Sequence, residues 1–206
     1  MCTFDNQFYK VRSHFNIVLN NPENFKTKLL AWAQQFREIV FLDSNDYPQQ
    51  YGSYDAVLAA DAFTSIKTDY QNAFEDLRQY QSQAKDWLFG YLAYDLKNDT
   101  EQLHSNNHDG LHFPDLFFFQ PKKIFLLKGN QLEIQYLLMC DDEIVGDYNE
   151  IVELESQSYI TLSEVEVKQR ISKEDYISKV NTVLEHIHRG DIYEANFCME
   201  FYVEGA

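Results

Sequence analysis

An α+β fold with largely antiparallel sheets is predicted by the order in which the elements arrive. Strand-like runs come in groups joined by short turn signals, and helical patterns do not separate every strand, unlike the regular alternation of a doubly wound parallel sheet. Hydrophobic residues make up 45% of the 206-residue chain and aromatics 16%. That is enough apolar surface for a packed core and too much for a disordered chain. The length suits one domain, or one domain and part of another.

Asn21 and Pro22 open the first helix, at the cap and first-turn positions those residues favour. Phe25, Leu29, Trp32 and Phe36 then mark its buried face. A short strand is predicted from Ile39 to Leu42, a turn-rich loop over 43–53, and a second strand from Tyr54 to Ala60. Tyr70, Ala73, Phe74, Leu77 and Tyr80 predict an amphipathic helix. Trp87 to Leu96 reads as a buried strand in which Gly90 permits a bulge or a close backbone approach. A polar loop over 97–113 precedes two strands, Asp115–Gln120 and Lys123–Leu127. A hairpin turn at 128–131 leads into Leu132–Cys140. Residues 141–158 are acidic and weakly helical, as expected of a surface or connecting segment.

The most informative stretch comes last. Ser172 is a candidate N-cap with Asp175 as its capping-box partner. Tyr176, Val180, Val183, Leu184 and Ile187 form one apolar helical face, and Gly190 occupies the position of a C′ glycine. From Tyr193 to Val203 apolar and polar residues alternate, predicting a half-buried strand. The division expected is 1–165 and 166–206.

A net charge of −16, with no basic stripe, argues against nucleic acid and against anionic membrane surfaces as partners. The first residues carry no secretory signal pattern, and no apolar run reaches the roughly 20 residues of a membrane span. Cys2, Cys140 and Cys198 are far apart and odd in number, which reads as free thiols in a reducing cytoplasm. His104, His108 and His112 recur every four residues, but Asn106, Asn107 and Gly110 break any helix that would align them on a metal. His186 and His188 lie near a helix C-terminus and lack a neighbouring nucleophile. More suggestive is the loop containing Ser44, Tyr51, Gly52, Ser53 and Tyr54. Its hydroxyls and phenols could hold a small amphipathic ligand, although a surface turn anchored by aromatic packing is the reading the residues alone favour.

Three segments, in order, resemble one family. Leu42 to Asp55 (L-D-S-N-D-Y-P-Q-Q-Y-G-S-Y-D), Gly90 to Leu96 (G-Y-L-A-Y-D-L) and Gly190 to Phe197 (G-D-I-Y-E-A-N-F) are similar to blocks of the anthranilate synthase component I family of chorismate-utilising enzymes. Asn196 and the Asp43-Ser44 pair are nearest the aminodeoxychorismate synthase component I branch, whereas Glu194 departs from the family's usual Gln. The resemblance implies two antiparallel sheets packed face to face with helices outside. It also implies amination of chorismate with Mg²⁺ as cofactor, and a glutaminase subunit or domain supplying ammonia. The family's lysine nucleophile in P-I-K-G-T, its Mg²⁺-holding glutamates and its arginine-bearing loop have no counterpart in the sequence. The expectation is therefore the N-terminal part of such an enzyme, not catalytic by itself, with 166–206 the start of the chorismate-binding region. By position, Ser44, Tyr51, Gly52, Ser53 and Tyr54 align with the family's tryptophan pocket. Anthranilate synthase component I and a non-catalytic amino-acid-binding module are the alternatives.

Overall fold

The computed structural model describes residues 11–47, 52–101, 103, 108–155 and 165–204. The chain divides into two compact units, Met1–Ser156 and Gln157–Ala206. In the first unit the elements run β1 (Arg12–Val18), α1 (Pro22–Ala33), β2 (Ile39–Asp43), β3 (Ala56–Thr68), α2 (Ala73–Ala84), β4 (Phe89–Leu92), α3 (Lys97–Thr100), β5 (Leu116–Lys128), β6 (Gln131–Leu137) and α4 (Ile144–Glu153). All sheet pairings are antiparallel, in the order β1-β6-β5-β3-β2, with β4 also on β5. The predicted α+β class with antiparallel sheets holds.

Strand β5 organises this unit. Two strands were expected where one thirteen-residue strand runs, with Pro121 at the join. Along one side β5 pairs with β3 throughout. On the other it pairs with β6 over Lys123–Lys128 and with β4 over Leu116–Phe119. Proline has no N–H for a ladder and is tolerated at irregular positions. Opposite it, the β3 register shifts between Ala62 and Thr64, just after Asp61 at φ 60°, so a bulge takes up the mismatch. The β5–β6 hairpin turns through Gly129 at φ 57° and Asn130, as predicted.

The main core lies between the β1–β6–β5–β3 sheet and helices α1 and α4. Phe25, Leu29 and Trp32 of α1 meet Leu58, Phe125, Ile134 and Tyr136 of the sheet, and the Trp32 and Phe125 rings pack edge to face at 5.6 Å. Asn21 caps α1 by accepting from the Asn24 amide. The acidic segment after β6 is not merely surface. Ile144 and Ile151 of α4 are buried in this core, because their spacing of seven brings both to one helical face. Strand β1 has no sequence-based prediction. Its Phe15 and Val18 are exposed while Arg12 is buried, the reverse of the pattern that announces a half-buried strand.

Helix α2 covers the other end of the sheet, where Ala73, Leu96 and Leu116 are buried together. The strand expected over Trp87–Leu96 is shorter: β4 stops at Leu92 and a helical turn spans Tyr94–Leu96. The close approach expected at Gly90 is real, since a Cβ there would overlap the carbonyl oxygen of Phe117. Gly90→Ala is therefore expected to cost about 3 kcal/mol, seen as a lower urea midpoint in a circular dichroism titration.

In the second unit, α5 (Lys173–Arg189) lies between β7 (Lys168–Gln169) and β8 (Phe201–Tyr202), which pair antiparallel. Both predicted caps are present. Ser172 Oγ accepts from the Asp175 amide, and Gly190 turns at φ 82° with its amide on Ile187 O and the Asp191 amide on His186 O, the two bonds of a Schellman motif. The strand expected from Tyr193 to Val203 is a correction. Only Phe201 and Tyr202 form a ladder, and Tyr193 is 94% exposed. Alternation supplies a face but not the backbone partner that makes a strand, and among the described residues β7 offers just two. The chain instead folds back on α5 through Tyr176, whose hydroxyl donates to Phe197 O at 3.2 Å and whose ring packs on the Phe197 ring. No helix among the described residues is long and apolar enough to cross a membrane.

Candidate functional site

The loop between β2 and β3 is built by local turn chemistry. Past the last rung of β2–β3, the Ser44 amide donates to Asp55 O at 2.8 Å. Asn45 and Asp46 both take positive φ, and the Tyr47 amide closes on Ser44 O at 3.0 Å. This is the pattern of a type I′ turn, which Asn and Asp tolerate better than other side chains. Asp43 braces it by accepting from the Asn45 amide and pairing with Lys26 at 3.2 Å. Those two contacts, the amide first, hold the Asp43 carboxyl below the usual aspartate range. On the returning side the Asp55 amide donates to Leu127 O, and its carboxylate accepts from the Gly129 amide at 2.5 Å. The loop is thus pinned to the β5–β6 hairpin.

Ser44, Gly52, Ser53 and Tyr54 come together around an open depression of about 270 Å³, with Leu42, Asp43, Asp55 and Val57 completing its lining. Tyr51 lies outside the described residues. Two carboxylates, hydroxyls and an exposed phenol make a surface that suits an ammonium group and repels a dicarboxylate. The charges of Asp43 and Asp55 were not anticipated, although both residues flank the motif.

The other sequence candidates do not assemble. His104 lies outside the described residues, while His108 and His112 are exposed. Among the described residues no group of three or more His, Cys, Asp or Glu side chains is placed to hold a metal ion. His186 Nδ1 contacts Asp191 Oδ2 at 2.8 Å on the exposed end of α5, beside Arg189. Cys140 is buried, and burial pushes its thiol pKa up, whereas Cys198 is exposed. Cys2 falls outside the described residues.

Sequence reasoning missed two ionic clusters centred on buried cations and a larger open groove. Arg12 meets Asp86 with Nε and Nη2 at 2.8–3.1 Å, both side chains nearly inaccessible. Lys123 pairs with Asp147 at 2.5 Å and Glu143 at 2.6 Å, and lies over the rings of Trp32, Phe36 and Tyr136. The two lysines interrupting the apolar run of β5 were the available signal. The groove, about 560 Å³ and open to solvent, lies between the C-terminal ends of α1 and α4. Trp32, Gln35, Glu150 and Glu153 are among its lining residues, and no motif marks it.

A family model described as chorismate binding enzyme matches residues 21–205, across both units. The chain is 26% identical over 117 residues to an anthranilate synthase component I-like protein of the cyanobacterium Synechocystis sp. The aligned part covers 56% of this chain and 24% of that protein. Among solved structures, the menaquinone-specific isochorismate synthase from Escherichia coli is similar over 88% of this chain and 46% of that one, at 13% identity and a TM-score of 0.33. The chain thus spans about a quarter of the length of the first relative and about half of the second.

Proposed function

The chain belongs to the chorismate binding enzyme family, and on that premise we propose that it is the N-terminal part of a chorismate-aminating enzyme, the component I of aminodeoxychorismate synthase. The observation that carries this reading is the G-D-I-Y-E-A-N-F block at Gly190–Phe197, which begins at the Schellman cap of α5 inside the matched region. Asn196 and the Asp43-Ser44 pair favour the aminodeoxychorismate branch over anthranilate synthase, the second reading within the family. Chorismate as substrate, a glutaminase partner and a cytoplasmic location belong to the same proposal. Mg²⁺, when bound, would neutralise the substrate's carboxylates. Among the described residues no group of three or more His, Cys, Asp or Glu side chains is placed to hold it.

The substrate is a dicarboxylate, and the depression at Ser44, lined by Asp43 and Asp55, repels such a ligand. The purified 206-residue chain, given chorismate, Mg²⁺ and ammonium at alkaline pH, is therefore expected to yield no aminodeoxychorismate above a protein-free control. Turnover abolished by a point substitution within the chain would overturn the reading. The complete gene product under the same conditions should form aminodeoxychorismate, detected as para-aminobenzoate after lyase treatment. Fluorescent anthranilate would instead assign the other branch.

The acidic, hydroxyl-lined depression favours one further reading, an amino-acid pocket, with tryptophan the first ligand to try. Ser44→Ala is expected to weaken tryptophan binding to the complete protein roughly 2- to 10-fold in calorimetry, the worth of one hydrogen bond. Unchanged affinity would move the pocket elsewhere.

A further inference from the structure

At the middle of β5 the sheet has a seam. Between the last rung with β6 and the first with β4, no strand among the described residues lies beside the stretch around Pro121 on that side. The Arg12 guanidinium fills the seam. It donates to Pro121 O at 2.6 Å, and to Lys122 O and Gln135 O at 3.3 Å, while Nε and Nη2 grip Asp86. Asp86 also accepts from Gln120 Nε2 at 2.8 Å. One ionic knot therefore joins the edge strand β1, the centre of β5 and the connection between α2 and β4.

Residues 69–101 otherwise hold to the sheet by little. They contribute three buried apolar side chains, Ala73, Phe89 and Leu96, with Tyr70 and Leu77 half-buried beside them, and one four-residue ladder, β4 on β5, extended by the Ala93 amide on Asp115 O. Tyr80 adds a hydroxyl that accepts from the Gln120 amide and contacts Thr64 Oγ1. The same segment is closed on itself, since the Asn72 amide near its start donates to Asp99 Oδ1 near its end at 2.8 Å. Asn72 itself stands at φ 57°, a local turn where the segment leaves β3. Segments with few buried apolar groups and internal closure are those that open as units while the rest of a protein remains folded.

We propose that residues 69–101 form an arm latched to the sheet by the Arg12–Asp86 pair, and that the arm opens as one unit without unfolding the β1–β6–β5–β3 core. Opening breaks the β4 ladder and uncovers Leu116, which is buried with Ala73 and Leu96, and the Ala59, Phe119, Ile124 and Leu126 cluster that includes Phe89. It leaves α1, α4 and the sheet face they cover in place, because the core between them contains no residue of the arm.

Native-state hydrogen exchange of the 206-residue chain at increasing urea tests this. The amides of α2 and β4 should share one opening, at a lower free energy and with a weaker urea dependence than those of β6 and the Ala56–Ala60 half of β3. Arg12→Lys keeps the charge but loses the fork that grips Asp86, and should speed exchange in the arm at least about tenfold. Asp86→Asn, which keeps the shape and removes the charge, should do the same. The proposal fails if arm and core amides merge on one isotherm in the parent. It also fails if both variants leave arm exchange within about twofold. Failure of both variants to fold would show that the pair holds the whole fold rather than an arm, and would equally overturn it.

Discussion

Asp86→Ala is expected to lower folding stability by about 3–5 kcal/mol, the largest effect of any single substitution away from the apolar core. The side chains of Arg12 and Asp86 are 4% and 6% exposed, so removing the carboxylate strands a guanidinium with carbonyl partners and no countercharge. Arg12→Ala should cost a similar amount, and the double variant less than the sum, because each single change already destroys the pair. Urea titrations of the four proteins would measure this, and additive losses would show that the two residues act independently. The pair also sets a pH dependence. Burial alone would push the Asp86 carboxyl up, but bonds from Arg12, Gln120 and the Trp87 amide outweigh it and hold the carboxyl below its ordinary 3.8. A group depressed in the folded state stabilises at pH above its unfolded value, and that contribution is lost as pH falls through the folded value. Stability should thus fall on acidification below about pH 4, and less steeply in Asp86→Asn.

Lys123→Ala should cost about 3–4 kcal/mol, again in a urea titration. Lys123 is buried against three aromatic rings with Asp147 and Glu143 as partners. Tyr136 donates to the same Asp147 at 2.7 Å, so loss of the ammonium leaves that carboxylate partly buried with a neutral partner only. Lys123→Met, which keeps the apolar stem over Trp32 and Phe36, should recover about 1 kcal/mol of the loss. A Met variant no better than Ala would mean that the rings respond to the charge and not to the stem. Burial by itself would lower the Lys123 pKa, but the bonds to Asp147 and Glu143 prevail and raise it above 10.5. Its contribution is therefore full at neutral pH and is lost only as pH rises through that raised value.

The candidate site was partly legible. Ser44, Gly52, Ser53 and Tyr54 could be named because hydroxyls, phenols and a glycine between two strands form a recognisable composition, and the structure brings these four around one depression. Its acidic character was not legible, since whether Asp43 and Asp55 line the space or turn away depends on a positive-φ turn at Asn45-Asp46 and on the hairpin beside it. The histidine series at 104–112 was legible as no metal site, because spacing proposes a face only where a helix exists to display it, and His108 and His112 stand exposed outside any helix.

By itself, the sequence determined those features whose physics is local. Asn21 and Ser172 cap their helices through an amide three residues away, Gly190 adopts a conformation other residues avoid, and Gly129-Asn130 turns a two-residue hairpin. The family blocks were legible too, because they are short strings. Only the tertiary structure decided that β5 is one strand with two partners on one side, that α4 buries Ile151, and that the alternating stretch after Gly190 pairs only at Phe201–Tyr202. It alone joined Arg12 to Asp86, 74 residues apart. A charge near the start of an edge strand carries no local mark of its partner. A strand needs a neighbour's backbone, and a buried ion pair needs a counterion, and both are supplied by parts of the chain that no local pattern connects.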